Sequence, residues 1–112
     1  MSNLVVDGIL FYHGGAADLG TNKEVVKNFG PVSKTDQSFR NRGEADTQHT
    51  QRVCKETAQA LAKAAKELGA NAILYYSNAP TPFWGKRNGR EFMVCQVTTS
   101  GDAVLIKTKE NI

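Results

Sequence analysis

One stretch of this sequence combines aromatic rings with positive charge in a pattern suited to binding a ligand. It runs from Phe83 to Arg90, and its candidate binding residues are Phe83, Trp84, Lys86, Arg87 and Arg90. Aromatic faces stack on nucleobases and attract cations, and cationic side chains pair with anions. Arg40 and Arg42 are candidates to complete the same basic surface. The pattern is compatible with a site for an anionic small molecule or a nucleic acid. Alternatively, the rings pack against a neighbouring subunit and the cations stay solvated.

Metal-ligating and nucleophilic residues are few and widely spaced. They are His13, His49, Cys54 and Cys95, with no Cys-x-x-Cys and no His-x-x-x-His motif. Five helical residues turn the chain by about 140°, which places Cys54 on the core face and His49 away from it. We therefore predict no metal site within one chain, and a site shared between subunits stays open. Both cysteines are expected to be buried, reduced and inert.

Other catalytic patterns have no support, so we predict no catalytic residue and no cofactor. The carboxylates are isolated from one another: Asp18, Asp36, Glu44, Asp46 and Glu91. Gly15 and Gly20 have the spacing of a phosphate loop. That motif requires Lys and a hydroxyl residue next, and Thr21-Asn22 follows instead.

The composition is that of one small, mildly basic globular domain spanning residues 1–112. The chain is 40% hydrophobic and 22% charged, with a formal net charge of +3. That charge is compatible with an anionic partner without requiring one. No apolar run approaches the ~20 residues needed to span a bilayer, and no signal peptide is evident. We expect a cytoplasmic protein that does not contact membranes.

A long alanine-rich helix is the main predicted element. It should begin at Asp46 or Thr47 and end at Gly69, a residue type that favours a left-handed helix terminus. Its predicted core face carries Cys54, Thr57, Ala58, Leu61, Ala64, Ala65 and Leu68, and its charged residues lie opposite.

The strands are predicted from apolar runs and turn residues. A strand covers roughly residues 8–13, starting as early as residue 3, and a second covers 23–33 with a break at Gly30-Pro31. Residues 34–45 and 78–90 are predicted loops flanking the helix and a strand at 72–77. Strands at 91–99 and 103–107 should form a hairpin through a tight turn at 100–102. The expected fold is α+β, with one long amphipathic helix packed on a mainly antiparallel sheet of four or five strands.

The predicted strands are apolar on both faces, whereas one helix can cover only one. Ile73 and Leu74 illustrate this, because they point to opposite sides. The second face must be covered by residues 1–20 or by another subunit. We favour a homo-oligomer, with Tyr75, Tyr76 and Met93 as candidate interface residues.

A resemblance supports this architecture. The sequence around Leu68-Gly-Ala-Asn-Ala-Ile-Leu74, together with Phe29–Val32 and Gly101–Val104, resembles the YbjQ-like family, which is labelled as heavy-metal-binding. The resemblance implies a small bacterial α+β subunit that assembles into a ring such as a pentamer. The first 20 residues and Pro80–Arg90 depart from the family pattern, and no ligand motif of the metal label maps onto this chain.

Three functional hypotheses follow. The first is a non-enzymatic homo-oligomeric binding or scaffold protein whose loop at 83–90 contacts a small molecule or a protein partner. The second is a nucleic-acid-binding protein that uses the same basic and aromatic loop. The third is an enzyme with a site between subunits.

Overall fold

The computed structural model describes residues 4–109, which fold as one α-helix on a single five-stranded sheet. The elements are β1 (Leu4–Val6), β2 (Ile9–Phe11), a 3-10 turn (Ala16–Leu19), β3 (Lys23–Phe39), α1 (Asp46–Leu68), β4 (Ala72–Arg87) and β5 (Arg90–Thr108). The strand order is β1-β2-β4-β5-β3, and all neighbours are antiparallel except β2 and β4. The predicted α+β fold is confirmed. A strand start at residue 3 lies outside the described residues.

Helix α1 has the predicted bounds, and local hydrogen bonds explain both ends. At its start, the Gln48 side-chain oxygen accepts from the Ala45 N–H at 3.1 Å. At its end, Gly69 adopts the left-handed conformation with φ of 95°. The N–H groups of Gly69 and Ala70 then bond to helix carbonyls at 3.0 Å. No helix within residues 4–109 is both long and apolar enough to cross a membrane.

Three predicted loop or turn segments are strand instead, and this is the main correction. Residues 34–39 belong to β3, 78–87 to β4 and 100–102 to β5. Their polar side chains show no alternation of apolar residues, but backbone pairing with the neighbouring strands holds these segments in strand conformation. The actual hairpin turn is Asn88-Gly89, with φ of 53° and 77°, as a two-residue turn of this hand requires.

The extension of β3 also overturns the placement of His49. This residue is 2% exposed, because the added strand residues lie against the first turn of α1. Its Nε2 lies 2.8 Å from the carbonyl oxygen of Ser38. Cys54, predicted to be buried, is only half-buried, whereas Cys95 is buried as predicted.

Each face of the sheet has its own cover near β1 and β2. On the helix face, Ile73 and Ala103 pack beneath α1. On the opposite face, the chain's own Tyr12 and Leu19 cover an apolar cluster of Ala72, Leu74, Val104 and Ile106. Residues from the first twenty therefore cover this part of the second face, and it does not need another subunit.

Beyond this base, β3, β5 and β4 extend as a three-stranded ribbon, and the chain measures 65 × 26 × 18 Å. We call the side of the ribbon away from α1 the open face. It carries exposed or half-exposed polar side chains, among them Thr35, Gln37, Thr81, Gln96 and Thr98. The polar character of this face explains how it remains uncovered.

Candidate functional site

The candidate site is the end of the ribbon, where the β4–β5 hairpin meets the segment that joins β3 to α1. Arg87 and Arg90 are paired across the hairpin turn, so the ladder brings them together. The connecting segment begins at Arg40, whose N–H bonds to the carbonyl of Met93 at 2.9 Å. We call residues 39–45 and 83–93 together the ribbon tip.

Four arginines surround one cavity of about 610 Å³ on the open face of the tip. Its lining residues are Phe39, Arg40, Asn41, Arg42, Arg87, Asn88, Arg90 and Phe92, and none is a carboxylate. Arg40 pairs with Asp46 at 2.9 Å, and no ion pair engages the other three arginines within residues 4–109. The cavity therefore concentrates positive charge, and three of its four arginines have no ion-pair partner among the described residues.

Aromatic rings form the floor beneath these arginines. Phe39 and Phe92 meet edge to face, with ring centroids 6.2 Å apart and planes at 88°. The Arg87 guanidinium lies over the Phe39 ring at 5.6 Å from its centroid. A cation on an aromatic face is held in place without losing its charge, so Arg87 stays available to an anion.

The Arg52 side chain of α1 positions the segment that carries Arg40 and Arg42, and we call Arg52 with its partners Glu44, Ser38 and Phe39 the buttress. Arg52 donates from Nε and Nη2 to the two carboxylate oxygens of Glu44, at 2.9 and 3.0 Å. It also donates to the Ser38 hydroxyl and the Phe39 carbonyl, both at 3.0 Å. The hydrogen bonds from Arg52 hold the pKa of Glu44 at about 2, well below its ordinary value.

Helical spacing alone pairs Arg52 with Glu56, four residues further along α1, and that contact is the longer one at 3.6 Å. The bond to Glu44 depends on β3 ending over the first turns of α1. Nothing in the local spacing of residues 44 and 52 indicated that arrangement.

Strand alternation divides the predicted binding residues between two faces. Phe83, Arg87 and Arg90 lie on the open face, whereas Trp84 pairs with Met93 on the helix face. A second cavity of about 590 Å³ on that side is lined by Trp84, Glu91 and Met93 together with residues 40–45. Arg40 and Arg42 line both cavities.

Lys86, the remaining predicted binding residue, also lies within the ribbon tip. Phe83 and Lys86 line a smaller pocket of about 240 Å³ with Phe39 and Val94. Lys86 is paired with Glu91 across the hairpin, which places an acid beside it. The seven predicted residues thus share one end of the molecule but do not form a single surface.

The predicted interface residues differ in exposure. Tyr75 is 59% exposed and occupies a β-bulge with φ of 55°. Tyr76 is 6% exposed and packs edge to face on Phe11, 4.8 Å between centroids, within the chain's own core. Burial raises the pKa of Tyr76. Met93 is half-buried.

The histidines and cysteines are engaged in packing or backbone contacts. His13 Nδ1 lies 3.1 Å from the carbonyl oxygen of Tyr76. Cys54 packs against a small cluster of Val53, Cys95 and Val97, and burial raises the pKa of its thiol. Within residues 4–109, no three His, Cys, Asp or Glu side chains are grouped so that they could hold a metal ion.

Comparison with solved structures identifies a similar fold. A protein of unknown function from Pediococcus pentosaceus ATCC 25745, assigned to the DUF74 family, aligns with a TM-score of 0.65 and 18% identity. The alignment covers 90% of this chain and all of that one. DUF74 is the YbjQ-like family, so the fold implied by the resemblance is supported. No protein-family model and no curated protein matches this sequence.

Proposed function

We propose that this chain is a non-enzymatic, homo-oligomeric binding protein that holds an anionic ligand at the ribbon tip. One observation carries the proposal: four arginines and no carboxylate line the cavity at the tip. Guanidinium groups keep their charge at every physiological pH and bind carboxylates or phosphates through two parallel hydrogen bonds. The cavity therefore favours ligands with several negatively charged oxygens.

The chemistry of the lining residues supports binding rather than catalysis. Arginine, asparagine and phenylalanine supply neither a nucleophile nor a general base near neutral pH. An enzymatic site between subunits would need those groups from a second copy, which makes it the weakest of the three hypotheses.

The helix face of β4 supports the oligomeric part of the proposal. Pro80, Pro82 and Trp84 are exposed there, beside α1, and Trp84 is 64% exposed. The prolines lack N–H donors, so strand addition at this outer edge is disfavoured and contact would be made by side chains. The YbjQ-like resemblance implies a ring of copies. Burial of Trp84 between copies should blue-shift its emission relative to a Trp84-exposed monomer.

The binding experiment compares the wild-type protein with two double variants of equal charge change. Arg87→Ala/Arg90→Ala removes two cavity cations, and Lys63→Ala/Lys66→Ala removes two exposed cations from α1. The probe is inorganic triphosphate, followed by calorimetry at low salt. Each lost charge-assisted contact is worth roughly ten-fold in affinity, so the tip variant should weaken binding by at least that factor.

The control variant should stay within about two-fold of wild type, because the helix lysines lie away from the lining of the cavity. Equal weakening by both variants would show that net charge alone attracts the probe. No measurable triphosphate binding by the wild-type protein would refute the anion site. A monodisperse monomer by light scattering at micromolar concentration would refute the oligomer.

A further inference from the structure

We infer that the natural anionic ligand is a single-stranded nucleic acid that lies along the open face of the ribbon, with its phosphates at the arginine-lined tip. This inference rests on the proposed function and names its ligand class. A compact anion would need the tip alone. The chemistry of the open face extends the candidate surface well beyond the tip.

The open face is polar but free of acids along the ribbon. The ladder pairs place Thr35 opposite Thr98 and Ser77 opposite Ser100, and these hydroxyls meet at 2.9 and 3.3 Å. Across the span of β4 from Ser77 to Arg87, this face carries hydroxyl, amide, aromatic and arginine side chains together with the aliphatic Ala79 and Val94, and no Asp or Glu. Hydroxyl and amide groups can bond sugar and phosphate oxygens, and a face without carboxylates does not repel a polyanion.

Two partly exposed phenylalanines lie where this polar face meets the arginines. Phe83 is 39% exposed and Phe92 is 38% exposed. Exposed rings on an open sheet are the stacking platform that several single-strand-binding folds use, worth about 1–3 kcal/mol per base. Bases can reach such rings only when they are unpaired, which favours a single strand over a duplex.

The dimensions suit a short oligonucleotide. From Ser77 to Arg87 the strand advances ten residues, or roughly 33 Å at about 3.3 Å per residue. At about 3.4 Å per nucleotide of a stacked strand, this length accommodates roughly ten nucleotides, within the roughly 4–16 of single-strand sites on small β folds. Trp84 faces the other way, so it is not a stacking residue in this arrangement.

The test measures binding of a 15-nucleotide oligothymidine, the matching duplex, oligoglutamate and inorganic triphosphate. The variants are Arg87→Ala/Arg90→Ala and Phe83→Leu, with Lys63→Ala/Lys66→Ala as the charge control. We expect the arginine variant to weaken both triphosphate and oligothymidine. The phenylalanine variant should weaken oligothymidine about five-fold or more and leave triphosphate unchanged, because Phe83 is not among the residues that line the arginine cavity. Each phosphate contact should contribute about −0.7 to the slope of log affinity against log salt.

A measurement on the wild-type protein makes the test independent of variant folding. Oligothymidine should shift the NMR methyl signals of Thr35, Thr81 and Thr98, while Trp84 emission stays unchanged. Shifts confined to the helix face, or quenching of Trp84, would overturn the open-face site.

The outcomes separate the two proposals. If triphosphate binds but oligothymidine binds no better than duplex or oligoglutamate, the nucleic-acid inference is wrong and the anion site survives. The same holds if the phenylalanine variant binds oligothymidine as wild type does. If neither triphosphate nor oligothymidine binds, both proposals fail.

Discussion

Gly101 provides a stringent test of how the two long strands β4 and β5 fit together. It lies inside β5, opposite the β-bulge at which β4 shifts register between Leu74 and Ser77. A Cβ on Gly101 would overlap the Cγ2 of Ile73 and lie 2.8 Å from the Leu74 carbonyl oxygen. The backbone cannot move away from that oxygen without disturbing the ladder, so Gly101→Ala should be destabilising.

The magnitude follows from two opposing terms. Overpacking by one methyl group in a close-packed region costs about 1–3 kcal/mol. Replacing glycine by alanine in a strand recovers roughly 0.5–1 kcal/mol of backbone entropy. The two ranges leave a net loss of up to about 2.5 kcal/mol, centred near 1 kcal/mol, and each kcal/mol corresponds to roughly 4–8 °C in Tm for a small domain.

Urea unfolding at 25 °C checks this value, with Ser100→Ala as the neighbouring control. Ser100 is half-exposed and its hydroxyl meets only Ser77, so its truncation should cost less than about 0.5 kcal/mol. The control shows whether the loss of a small group at the neighbouring position of β5 is itself harmful. A Gly101→Ala variant as stable as wild type would refute the close approach at the bulge.

Three further predictions concern the buttress and the thiols. Arg52→Lys should lower the free energy of unfolding by about 1 kcal/mol, because lysine cannot bond to the Phe39 carbonyl and to Glu44 at the same time. Urea unfolding measures this loss, and amide exchange in residues 40–45 shows whether the segment loosens. In the folded protein the pKa of Glu44 is lowered to about 2, so the stabilisation by the Glu44 carboxylate should be full above pH 4.5 and disappear as the pH falls toward 2. Unfolding curves at a series of pH values should show this loss for the wild-type protein and not for Glu44→Gln. Iodoacetamide followed by mass spectrometry should label Cys54 slowly and the 2%-exposed Cys95 only on unfolding, and fast labelling of Cys95 would contradict its burial.

The sequence predicted the helix and the fold class because the signals for both are local. Thr57, Ala58, Leu61 and Ala65 are buried as predicted, and Gly69 ends the helix. Leu68 was also predicted to be buried, but it is 46% exposed in the last turn. The strands at 72–77 and 91–99 were found for the same reason, since apolar residues there occupy a covered part of the sheet.

The two outer strands of the ribbon could not be predicted, because they are stabilised by pairing with β5 and not by apolar burial. Residues 34–39 and 78–87 are polar or proline-rich, so their composition is that of a loop. Gly101 was predicted to lie in a turn, whereas in the structure it lies within β5, where the absence of a side chain lets β4 approach closely. His49 was then misplaced, since the strand that covers it was assigned to a loop.

The same error hid how the candidate site works. A loop can present Phe83, Trp84 and Arg87 together on one flexible surface, whereas a strand sends neighbours to opposite sides. The ribbon therefore places on opposite faces two roles that the predicted loop combined, ligand binding and contact with another protein. Arginines and phenylalanines share the open face with hydroxyl groups, which suits a polyanion with unpaired bases. Trp84 shares the helix face with prolines, which suits another protein surface. A one-residue shift in the β4–β5 register would exchange these two sets, so the two proposed binding surfaces depend on that register.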